Sequence, residues 1–151
     1  MKRILVFFFF VIFTNMSQAN EGLEKALDLC TKAILPEGSE EFSYFAEGYC
    51  IGVLDTTSFL WGTTHMSRNT KICPKDYPHK YLNEVVIKLA EMKRGADLIR
   101  LGDRAPVPKN EKEAREQLIA KTSLPPGYKA NKKAPPEYFI GWAYVQTQKC
   151  D

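Results

Sequence analysis

From residue 20 onward the apolar positions recur at helical spacing. Leu23, Ala26, Leu27, Cys30 and Ile34 fall at i, i+3, i+4, i+7 and i+11, one stripe of an amphipathic helix. Pro36-Glu37-Gly38-Ser39 breaks it. A second helix is predicted from about Glu41, with Phe42, Phe45, Ala46, Tyr49, Val53 and Leu60 facing inward. Pro78 opens a third, whose stripe is Leu82, Val85, Val86 and Leu89, and Pro135-Pro136 opens a last one carrying Phe139, Trp142, Ala143 and Val145. Gly48 and Gly52 stand four apart on the second helix, which reads as room for another helix to approach closely. The expected fold class is all-α: a small disulfide-stapled bundle of four main helices plus a short inserted one.

The inserted stretch is Arg94 to Ala134, which differs in character from its surroundings. Asn110 with Glu113 three residues on resembles a capping box, so a short helix is predicted from Glu111 to about Lys121, with a thin stripe of Ala114, Leu118 and Ile119. Then come Leu124-Pro125-Pro126-Gly127-Tyr128-Lys129, Lys132-Lys133 and Pro135-Pro136. This reads as an irregular, largely exposed loop, either a solvated connector or a semi-rigid projection. In the second reading prolines reduce the entropy lost on docking, Tyr128 anchors a partner, and Lys129, Lys132 and Lys133 meet its acidic groups.

The pattern changes at the N-terminus. Lys2 and Arg3 precede Ile4 to Phe13, ten residues without a polar side chain, five of them Phe. Ser17-Gln18-Ala19 places small residues at −3 and −1 of a cut after Ala19. This is the layout of a secretory signal peptide over residues 1–19, with an apolar run too short to anchor in a bilayer. The rest, residues 20–151, is sized as one domain. Its lack of an Asn-x-Ser/Thr site gives no support to a glycosylated product, so the expected location is a bacterial periplasm.

An oxidising compartment changes how the cysteines read. Cys30, Cys50, Cys73 and Cys150 all lie in the exported part, an even set that reads as two disulfides with three connectivities. If the first two helices run antiparallel across a short turn, Cys30 comes near Cys50. If the third and last helices pack antiparallel, Cys73, just before the third, meets Cys150 at the end of the last. The expected pairing is therefore Cys30–Cys50 and Cys73–Cys150.

Candidate chemistry is sparse. There is no C-x-x-C, and His65 and His79 match no zinc spacing with Cys73, so neither a metal nor a cofactor is expected. G-x-S-x-G, H-E-x-x-H and a glycine-rich phosphate loop are absent, four paired cysteines leave no nucleophilic thiol, and Asp55 has no definable carboxylate partner. An enzyme is not expected. The formal charge of +3 falls to about +1 without Lys2 and Arg3, too weak a field to argue for nucleic acid.

Leu29-Cys30, Tyr49-Cys50-Ile51-Gly52-Val53-Leu54-Asp55, Ile72-Cys73-Pro74, Tyr81-Leu82-Asn83-Glu84-Val85-Val86-Ile87-Lys88 and the closing Cys150 together resemble the Rap/Tai family. These are small exported helical immunity proteins of type VI secretion systems. The likeness spans the mature chain apart from Arg94 to Ala134, and Gln148-Lys149-Cys150 replaces the family's aromatic-Pro-Cys end. It implies a periplasmic protein that caps a peptidoglycan amidase effector and excludes the peptide stem from its nucleophile, the amidase being the partner. Self-association as a homodimer is left open. The alternative is a helical, disulfide-bonded periplasmic chaperone or stress protein without a toxin partner.

Overall fold

The computed structural model describes residues 21–63, 78–129 and 133–148. The expected signal peptide, the Cys73–Cys150 bond, His65 and Lys132 lie outside the described residues. Within them the chain is all-α, with helices α1 (Glu21–Ala33), α2 (Tyr44–Thr63), α3 (Leu82–Leu101), α4 (Glu111–Ser123) and α5 (Pro136–Thr147). Short 3₁₀ turns, Pro78–Tyr81 and Gly102–Arg104, lead into and out of α3.

α1 and α5 form the centre: α1 packs on α2, α3 and α5, and α5 packs on α1, α2 and α3. Leu23, Ala26, Cys30, Leu54, Val85, Leu89, Met92, Phe139, Ile140, Ala143 and Tyr144 fill the shared interior. Cys30 is bonded to Cys50, with Cα atoms 5.7 Å apart, which ties the end of α1 to the first half of α2 as the hairpin argument requires. Tyr81 at the start of α3 and Tyr144 near the end of α5 meet edge to face, centroids 6.1 Å apart, so these two helices also run antiparallel.

The inward face of α2 differs from the expected one. Over residues 44–60 Ala46, Cys50 and Leu54 are the buried ones, whereas Phe45 is 73% and Leu60 51% exposed and Phe42, just before the helix, is only half-buried. The disulfide explains the rotation. Cys50 must point at Cys30, and residues three and four away share that direction, Ala46 and Leu54 among them. The close approach favours Ala46 over an aromatic, so the bulky side chains turn outward.

α3 runs through Arg94 without a break to Leu101, so the inserted stretch as read from sequence begins inside a helix. α4 is as long as α1 and packs along α3 rather than standing off the bundle. Asn110 caps it, its Oδ1 accepting the Glu113 N–H at 2.9 Å, while Glu113 Oε2 accepts from the Lys109 N–H, one residue before the usual capping-box position. The Gln117 side chain donates to the Pro106 carbonyl, which fastens the connection to α4, and Arg94 pairs with Glu116 from one helix to the other.

Among the described residues nothing lies within 4 Å of a Cβ built at Gly48 or Gly52. The close approaches are elsewhere. Gly95 on α3 lies against the backbone carbonyl of Ala120 on α4, and Gly22 on α1 against that of Ala134. A methyl at Gly95 would collide with backbone, which cannot swing aside. Gly95→Ala is therefore expected to destabilise by about 1–3 kcal/mol despite alanine's better helix propensity. Urea unfolding checks the sign: a gain in stability would mean that α3 and α4 are not in contact there.

Candidate functional site

The segment joining α4 to α5 is the surface to which the sequence assigned a partner, and its construction is visible from the inside out. Pro125-Pro126-Gly127-Tyr128 closes a turn, with the Tyr128 N–H donating to the Pro125 carbonyl at 3.0 Å. Gly127 has φ of 73°, the left-handed value that the third position of a Pro-Gly type II turn requires. The end of α4 is pinned as well. Trp142 Nε1 and Gln146 Nε2 of α5 both donate to the Ser123 carbonyl, at 3.0 and 2.6 Å, satisfying a helix-end acceptor. Tyr138 donates its hydroxyl to the Pro126 carbonyl at 3.4 Å.

Tyr128 does not project. It is 5% exposed and sits in the core, its ring edge to face with Phe139 at 6.4 Å between centroids. Burial raises the pKa of its phenol, reinforced by Asp97 and partly offset by Arg100. The physical reason for the correction is area: a tyrosine next to a turn that closes over the bundle gains more by filling the interior than by waiting in water. Its role moves from anchoring a partner to anchoring the loop.

Lys129 and Lys133 are exposed on either side of the segment, so the basic half of the expectation stands as a surface. Lys133 also borders a pocket of about 290 Å³ shared with Glu21, Gly22, Lys25, Ala134, Pro135 and Pro136. Lys25 was not singled out from sequence; its only signal is a position one turn after the start of α1, which the chain entering α5 happens to meet. Two lysines against one glutamate make this mouth suited to a partner's carboxylate.

At the first turn of α5, Glu137 accepts a hydrogen bond from the Tyr49 hydroxyl of α2. That bond holds the Glu137 carboxyl below the ordinary carboxylate range, and burial together with Glu137 pushes the Tyr49 phenol up to about 12. The signs give two limbs. The lowered carboxyl contributes stability above its unfolded pKa and loses it as pH falls through the folded value; the raised phenol contributes below pH 10.0 and loses it as pH rises toward about 12. Both groups face solvent, so the effects are small. Tyr49→Phe is expected to flatten the melting temperature against pH at both ends, and parallel profiles for the two proteins would refute the coupling.

Among the described residues no group of three or more His, Cys, Asp or Glu is placed to hold a metal ion. Asp55 lies exposed on α2. Comparison of the chain with protein-family models, with curated proteins and with solved structures gives no match.

Proposed function

We propose that the exported chain is a periplasmic immunity protein that binds a type VI secreted peptidoglycan amidase and blocks its active site. The observation that carries this reading is the pair of described segments between α4 and α5, residues 124–129 and 133–135. Tyr128 fastens the first from beneath, Trp142 and Gln146 hold the Ser123 carbonyl just before it, and Lys129 and Lys133 are offered to solvent. A loop whose shape is set before docking loses little conformational entropy when it binds. Exposed lysines speed encounter with an acidic rim and set its orientation. Inhibition by occlusion asks for this kind of surface and for no catalytic group.

Three further features support the reading. The N-terminal layout is that of an export signal, the Cys30–Cys50 bond suits an oxidising compartment, and the Tyr49 to Asp55 motif resembles the Rap/Tai family. The test is co-expression of the tagged mature chain with the product of the adjacent open reading frame, followed by capture. A stable complex with a cell-wall hydrolase is expected, weakened about tenfold or more by the double variant Lys129→Glu, Lys133→Glu. No complex with any such hydrolase, together with protection of unrelated unfolded proteins from aggregation, would replace this reading with the chaperone one.

A further inference from the structure

The basic surface between α4 and α5 has charge but lacks its expected apolar anchor, because Tyr128 turns into the core. Exposed lysines set encounter rate and orientation, whereas most of the energy of an interface comes from a few desolvated contacts. The connection between α3 and α4 carries a group of that kind. Val107 is 84% exposed, more than any other large apolar side chain among the described residues. Its surroundings are rigid by construction. Pro106 and Pro108 fix their own φ and push the residues before them, Ala105 and Val107, out of the helical region. Ala105 accordingly has φ −61° and ψ 141°, a polyproline conformation.

Both ends of this ridge are tied down. The Ala105 N–H donates to the Gly102 carbonyl at 3.0 Å, and the Lys109 N–H donates to Glu113 Oε2 at 2.7 Å. Between them Gln117 Nε2 donates to the Pro106 carbonyl at 2.9 Å. The apolar surface continues onto α4. Ala114 and Leu118 stand one step of 100° round the helix from Glu113 and Gln117, which hold the connection, and both are exposed. Holding Val107 out in water contributes nothing to the core, so the bracing serves a contact outside the chain.

We infer that the ridge Ala105–Pro108, with Leu118 beside it, is the apolar anchor by which the chain holds its effector, an inference that rests on the immunity reading. Position ties the ridge to the basic surface. Tyr128, beneath that surface, lies within electrostatic reach of Arg100 in the last turn of α3. The turn Gly102–Arg104 follows directly and leads into the ridge. Loop and ridge therefore lie at the same end of α3, and one partner can span both. The matching surface on the effector is a shallow apolar groove next to the acidic rim that meets Lys129. Because prolines and hydrogen bonds already set the ridge's shape, little conformational freedom is lost when it is buried.

The test is titration calorimetry of a type VI secreted amidase against the oxidised mature protein and its variants, with circular dichroism to confirm folding. Val107→Asn should weaken binding about tenfold, whereas Val107→Leu should leave it within about threefold. Neither should move the melting temperature measurably, since the side chain stands in water. Gln117→Ala frees the Pro106 carbonyl and should weaken binding about threefold by loosening the ridge. Salt separates the two surfaces: the dependence of affinity on ionic strength should persist in Val107→Asn and flatten in the Lys129→Glu, Lys133→Glu variant. Binding that responds to the lysines but not to Val107→Asn overturns the ridge and leaves the immunity reading standing. No binding by the native protein overturns both.

Discussion

Replacing Cys30 and Cys50 together by alanine is expected to lower the unfolding free energy by about 3 kcal/mol. The bond spans a sequence separation of 20, and closing a loop of that size removes enough freedom from the unfolded chain to account for most of it. Both cysteines are fully buried, so the missing atoms also leave space in the shared interior. For a domain of this size a loss of that order is a large share of the whole stability. Urea titration should show a lower midpoint together with a steeper slope, since the unlinked chain expands further when unfolded. A change below about 1 kcal/mol would mean that packing alone fixes the α1–α2 hairpin, and the outward rotation of the α2 aromatics would need another cause.

Tyr128→Ala is the second. Removing a buried aromatic ring from beneath the loop should destabilise the protein by about 3 kcal/mol. The damage should also be local. Amide exchange should quicken at the end of α4 and the start of α5, where the Ser123 carbonyl contacts and the Pro125 turn depend on that packing. The same variant should lose affinity for the proposed effector although Tyr128 touches solvent scarcely at all, because a loosened loop must be ordered again on binding. Lys129→Glu provides the contrast, with affinity reduced and stability unchanged within about 0.5 kcal/mol. If Tyr128→Ala bound the effector as tightly as the native protein, the loop would not be the docking element.

Much of this architecture could be read from spacing. The α1 and α3 stripes, the Asn110 cap, the proline-opened α5 and the Cys30–Cys50 pairing all follow from local rules whose causes lie within a few residues. What escaped were choices made between elements. In α2 apolar residues occur on every side, so periodicity carried little information about which side faces in, and the disulfide decided it. Gly95 and Gly22 looked like ordinary helix positions; their purpose depends on which backbone carbonyl arrives opposite them. The break in composition near Arg94 reads as the start of an inserted stretch, yet α3 passes through Arg94 and α4 lies along α3, because composition does not report packing. Tyr128 shows the limit most plainly: proline and lysine neighbours argue for a surface segment, and only the folded chain reveals that the ring turns inward.

The most direct measurement is digestion of purified peptidoglycan by the proposed partner, a type VI secreted amidase, with the oxidised mature protein added in increasing amounts. Fragment release should fall in proportion to the protein added and stop near equivalence, with the Lys129→Glu, Lys133→Glu variant needing far more. Undiminished release at a large molar excess of folded, disulfide-bonded protein would contradict an inhibitory role at its root.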